Sequence, residues 1–115
     1  MSSHTSSLEQ ALGFARTNRG RFVEELKELL RVPSVSTDPE RSGDVRRAAE
    51  MCAAELRRIG MERVELVETS GHPLVVGEWL KAAGKPTVLM YAHYDVQPAE
   101  RAYGAADSGA GEQLF

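Results

Sequence analysis

The sequence predicts an α/β fold in which two amphipathic helices pack on a small mixed sheet of about three strands. Three observations lead there. Apolar residues recur with helical period over residues 21–31 and again over 45–59. Three short apolar or alternating segments then follow, at 64–68, 74–79 and 87–92. Turn-forming residues separate each from the next.

Taken in order, residues 1–6 are Ser/Thr-rich and are expected to be disordered. Leu8, Leu12 and Ala15 then follow helical spacing, weakened by Gly13 and Gly20. From Arg21 the pattern strengthens, with Phe22, Leu26, Leu29 and Leu30 on one face and most of the charges elsewhere. Pro33 ends this helix, because the residue before a proline is pushed out of the helical region. A loop of Ser34, Ser36, Thr37, Asp38 and Pro39 leads to a second helix capped by Ser42 or Asp44. Its stripe is Val45, Ala48, Ala49, Cys52, Leu56 and Ile59. Arg57 and Arg58 suit the dipole of its last turn, and Gly60 stands where a helix-closing glycine belongs.

Val64 and Leu66 alternate with Glu65 and Val67 in the first strand. Ser70-Gly71-His72-Pro73 turns the chain into the second, 74–79, where Trp79 is expected to pack. After a turn containing Gly84, residues 87–92 are nearly all apolar, as in a strand covered on both faces. Standing alone, such a strand lacks a neighbour, and its unpaired apolar edge favours self-association.

Composition narrows the function. A chain of 115 residues forms one domain at most. It carries 14 Lys and Arg against 17 Asp and Glu, a net charge of -3, and 6% aromatic residues. Neither nucleic acid nor an anionic membrane is the expected partner. No apolar run is long enough to span a membrane, and the polar start does not read as a secretory signal. The single cysteine excludes an internal disulfide framework and favours the cytoplasm.

The stretch with chemical content is Met90-Tyr91-Ala92-His93-Tyr94-Asp95-Val96-Gln97-Pro98, running from a strand into a loop. In extended chain, His93 and Asp95 point to one side. A carboxylate beside an imidazole fixes its tautomer and offers the other nitrogen to a metal or a proton. On spacing alone, such a pair at a strand end is more often structural or merely exposed than functional. Cys52 on its stripe reads as a small buried hydrophobe, His72 as part of a surface turn, and His4 as part of the disordered terminus.

Three stretches carry a family resemblance: Leu29-Leu30-Arg31-Val32-Pro33-Ser34-Val35-Ser36, the helix 48–61 containing AAELRRIGM, and residues 86–98 ending in His93-Tyr94-Asp95-Val96-Gln97-Pro98. Together they resemble the N-terminal portion of M20-family metallopeptidases, the group of carnosinases, succinyl-diaminopimelate desuccinylases and carboxypeptidase G2-like enzymes. The resemblance implies that residues 7–98 are part of a three-layer catalytic domain. It also implies a substrate class of small peptides or N-acyl amino acids. His93 is then a ligand of one of two divalent ions, zinc by expectation, and Asp95 is the catalytic-site residue that orients it. The ions supply Lewis-acid and nucleophile-generating chemistry for amide hydrolysis. Ala92 departs mildly from the commoner glycine.

Beyond Pro98 the resemblance fails. Laying Tyr103-Gly104 and Gln113-Leu114-Phe115 on the family's next motif puts Gly109 and Ala110 where two aspartates belong. Asp107, two positions early, is the only nearby carboxylate and the candidate second metal ligand. The family's Glu-Glu pair, later acidic ligand and final histidine have no counterpart. Residues 99–115 therefore read as a degenerate Ala/Gly-rich tail. The expectation is a metallopeptidase fragment, inactive as this chain and binding metal weakly or not at all. The alternatives are a non-catalytic remnant or association module using an open sheet edge, and a shifted reading frame near Ala99.

Overall fold

The computed structural model describes residues 5–99. Within them, α1 spans Ser7–Thr17, α2 Arg19–Leu30, α3 Ser42–Arg58, β1 Glu62–Val67 and β2 Leu74–Glu78, with a 3-10 turn at Pro39–Arg41 before α3. The fold is a small α/β arrangement with its core between α3, the sheet and the loop that follows α2.

Ser6, assigned by sequence to the disordered terminus, caps α1. Its hydroxyl accepts from the Glu9 amide while the Glu9 carboxylate accepts from the Ser6 amide, a reciprocal capping box. Residues 1–4, His4 among them, lie outside the described residues, as do residues 100–115 of the expected tail. Helix α2 ends before Pro33 as expected. Neither α1 nor α2 contains a buried residue, and Leu26 and Leu30 of the α2 stripe remain 54% and 47% exposed. The helix that packs is α3.

Helix α3 buries Val45, Ala48, Ala49 and Ala53. These small side chains let the sheet and the loop around Val32 and Val35 approach closely, and all six residues are buried. The expected cap at Ser42 or Asp44 is not formed. Arg41 holds the N-cap position without a side-chain bond, while Asp38 caps the preceding 3-10 turn through the Glu40 amide. The turn feeds directly into α3, so the cap belongs to the first of the two consecutive elements.

The C-terminus of α3 meets expectation in detail. Gly60 adopts φ +92°, and its amide donates to the Arg57 carbonyl while the Met61 amide donates to the Leu56 carbonyl. This is the paired closure that a left-handed residue permits, and glycine adopts it without a Cβ penalty.

Strands β1 and β2 pair antiparallel, with Leu66 opposite Val75 and Val67 opposite Leu74. The register shifts between Glu62 and Glu65, and Arg63 within that irregularity has φ +46°. Val64 and Leu66 face inward and Glu65 and Val67 outward, as their alternation predicts. Gly77 admits the helix: a Cβ there would stand 3.2 Å from Leu56 Cδ1.

Residues 87–92 do not form the third strand that their apolar run predicts. Val88, Leu89, Met90 and Tyr91 are 76%, 91%, 79% and 93% exposed. A strand needs a partner for its amides and a cover for its faces, and none reaches this stretch among the described residues. The parallel component of the predicted mixed sheet appears instead as a single bridge, Val35 to Val96. Trp79 lies just past β2 and is half exposed rather than packed within it.

Candidate functional site

The site is built where three distant segments meet: the loop after α2, the turn between β1 and β2, and residues 93–96. The Val96 amide donates to the Ser34 carbonyl at 3.0 Å, which fixes the third segment beside the first. The Ser34 hydroxyl, fully buried, donates to the Tyr94 carbonyl at 3.4 Å. The Tyr94 hydroxyl points the other way and donates to the Pro73 carbonyl, tying the same segment to the turn. The turn is held internally by Thr69, whose hydroxyl donates to the His72 carbonyl at 2.7 Å and accepts from the Gly71 amide at 3.0 Å.

On this frame His93 and Asp95 project to one side, as their spacing predicts. His93 Nδ1 lies 2.9 Å from Asp95 Oδ1 and 3.0 Å from the Asp95 main-chain carbonyl. A carboxylate and a carbonyl only accept, so Nδ1 carries the proton and donates. In the neutral ring the lone pair is then on Nε2. The His93 side chain is 77% exposed and that of Asp95 25% exposed, so the imidazole stands in solvent on a partly sheltered carboxylate.

The other carboxylate oxygen, Oδ2, accepts from the Ser36 hydroxyl. The Ser36 bond first, and then the bond from His93, hold the Asp95 carboxyl below the usual aspartate range. His72 completes the arrangement: its Nε2 lies 2.9 Å from the Ser36 carbonyl and donates to it. The ring expected in a surface turn is thus partly buried and engaged.

The sequence singled out His93 and Asp95, and the structure brings them together. It did not single out Ser34, Ser36, His72 or Tyr94 as their supports. The available signal was the Ser34-Val35-Ser36 alternation, which puts both hydroxyls on one side of an extended segment. Asp107, the other expected ligand, lies outside the described residues.

An open, mostly apolar groove of about 630 Å³ runs from Leu29 on α2 past Met51 and Leu56 on α3 to Met90 and His93. Cys52 lines it and is partly rather than fully buried. Burial there pushes its thiol pKa upward. No helix among the described residues is long and apolar enough to cross a membrane.

In donor chemistry, an imidazole held at Nδ1 by a carboxylate matches a divalent-metal ligand with its orienting partner. The described residues contribute this one arm, and no group of three or more His, Cys, Asp or Glu gathers among them.

Comparison with characterised proteins gives a consistent class. The chain is 33% identical over 91 residues to the Cys-Gly metallodipeptidase DUG1 of Candida albicans, a match covering 69% of this chain and 19% of that protein. It is 31% identical over 83 residues to the cysteinylglycine-S-conjugate dipeptidase of Corynebacterium striatum, covering 72% and 18% respectively. It is 28% identical over 114 residues to the Beta-Ala-His dipeptidase of Rattus norvegicus, covering 88% and 23%. The matched region therefore spans about a fifth of the length of these relatives. No family model and no solved structure matches the chain.

Proposed function

We propose that this chain, a relative of the M20-type dipeptidases, carries one arm of a divalent-metal centre that hydrolyses small peptides. The observation that carries the reading is the 2.9 Å contact from His93 Nδ1 to Asp95 Oδ1, which leaves Nε2 for a metal. His93 is the ligand and Asp95 its orienting partner. The names of the relatives, Cys-Gly and Beta-Ala-His dipeptidases among them, support a divalent ion and a dipeptide substrate. Zinc suits an imidazole ligand, and when bound it polarises the scissile carbonyl. The groove leading to His93 offers apolar walls for a substrate side chain. The lone cysteine fits a reducing, cytoplasmic compartment.

A catalytic zinc takes three protein ligands, and the described residues contribute one. The remaining donors come from beyond them, and we propose that the 115-residue chain alone has no dipeptidase activity. The test is to assay pure chain with Cys-Gly and β-Ala-His in excess Zn²⁺ or Mn²⁺, while following the His93 ring nitrogens by NMR. The expected result is a zinc-dependent response at Nε2 without turnover. A His93 ring indifferent to zinc overturns the ligand assignment. Turnover abolished by His93→Ala overturns the inactivity.

A second reading rests on the exposed apolar stretch Val88, Leu89, Met90 and Tyr91. A non-catalytic module would use it to associate with a second copy of the chain. Sedimentation velocity of wild type and Leu89→Lys separates this reading: association lost in the variant supports it, and a wild-type monomer at high concentration removes it.

A further inference from the structure

We propose that Ser36 is a positioning residue that acts through Asp95 to hold His93 in the tautomer presenting Nε2. The inference rests on the reading of His93 as a metal ligand, but its geometry stands separately. Asp95 has two carboxylate oxygens and uses them on different partners: Oδ1 accepts from His93 Nδ1, and Oδ2 accepts from the Ser36 hydroxyl. A carboxylate bound at one oxygen alone can swing about its side-chain torsions. Bound at both, it is fixed in plane and direction, and the imidazole that donates to it is fixed in turn.

Ser36 is itself held in place. The preceding residue, Val35, forms the bridge to Val96. The Ser36 carbonyl accepts from His72 Nε2 at 2.9 Å. The hydroxyl therefore reaches Asp95 from a backbone anchored on both sides, across 59 residues of sequence.

The arrangement supplies its own control. His93 donates through Nδ1 and His72 through Nε2, so the two rings hold opposite tautomers. The His72 bond goes to the main-chain carbonyl of Ser36 and needs no side chain there. Removing the Ser36 hydroxyl should loosen the side-chain half of the His93 contact, leaving the Asp95 main-chain carbonyl at 3.0 Å from Nδ1, and should leave His72 unchanged. A collapse of the loop would release both.

The experiment is a ¹⁵N histidine spectrum of the full 115-residue chain, for wild type, Ser36→Ala and Ser36→Thr, with the rings neutral and then with Zn²⁺ added. The expected result in wild type is a predominantly Nδ1-protonated His93 beside an Nε2-protonated His72. In Ser36→Ala, His93 should shift part of the way toward a mixture of tautomers, since the Asp95 main-chain carbonyl still accepts from Nδ1, while His72 holds. In Ser36→Thr, which keeps the hydroxyl, His93 should return to the wild-type signature. The zinc response at His93 should weaken about tenfold in Ser36→Ala, the lower end of what loss of an outer-sphere partner costs. A mixed His93 tautomer in wild type overturns the proposal, as does an unchanged His93 in Ser36→Ala. Simultaneous release of both histidines also overturns it, because Ser36 would then be structural. If the tautomers behave as expected and zinc has no effect, positioning stands and the metal-centre reading falls.

Discussion

The Tyr94 hydroxyl donates to the Pro73 carbonyl oxygen, so the residue between His93 and Asp95 is tied to the turn between β1 and β2. Pro73 is buried, and its carbonyl has little recourse to water. Tyr94→Phe keeps the ring and removes the donor. It is expected to cost about 1–2 kcal/mol, the lower part of the range of about 1–3 kcal/mol for leaving one partner of a buried bond unsatisfied, because this bond is only partly buried. Urea denaturation should show a lower midpoint with an unchanged slope.

Two left-handed residues should respond to substitution with opposite sign. Gly60 closes α3 at φ +92°, and Gly60→Ala is expected to destabilise by about 1 kcal/mol. Arg63 adopts φ +46° within the β1 irregularity, where a Cβ costs roughly 1–2 kcal/mol. Arg63→Gly removes that cost and adds about 0.5–1 kcal/mol of backbone entropy, leaving a net gain of up to about 1.5 kcal/mol. Its exposed ion pair with Glu78 adds little to this balance. Thermal unfolding of the two variants should move the midpoint down and up respectively.

The Cys52 thiol should be slow to react. Burial beside the groove raises its pKa above the ordinary value, so less thiolate is present at neutral pH than in an exposed cysteine. Modification by a disulfide reagent should be slower than for a denatured control, and the rate should climb steeply only in alkaline solution. Rapid reaction at pH 7 would contradict the burial described for this side chain.

Asp95 sets an acid limit on the site. Its folded pKa is lowered, first by the Ser36 hydroxyl and then by His93. The stabilisation from its ionised form is therefore fully present above the unfolded aspartate value of about 3.9 and is lost as pH falls through the lower, folded value. Comparing denaturation midpoints of wild type and Asp95→Asn should show a gap that is constant near neutrality. The gap should close only in strong acid.

The local elements were legible because their signals are local. Pro33 and Gly60 mark the ends of α2 and α3, and the alternation of Val64 to Val67 set the inward face of β1. The capping box at Ser6 and Glu9 was equally local, a Ser three residues before a Glu, but it lies in a stretch whose composition suggested disorder. Residues 87–92 have strand composition, yet composition cannot supply a neighbouring strand. Half of the site was readable, since a single residue, Tyr94, separates His93 from Asp95. The other half was not: Ser36 meets Asp95 across 59 residues, and no spacing rule reaches that far.

The bridge from Val35 to Val96 and the bond from Ser34 to Tyr94, 60 residues apart, bear on how the molecule folds. Closing a loop of that length costs roughly 3–4 kcal/mol of chain entropy before any contact forms. Helix α3 and the β1–β2 hairpin need no such closure. They can assemble first and provide the surface on which the loop closes. The His93 arm is then a late arrival in folding and an early departure in unfolding. Amide exchange at Val96 should report a sub-global opening of lower free energy than that of the buried α3 amides, so the His93–Asp95 pair would lose its Ser36 support while most of the molecule is still folded.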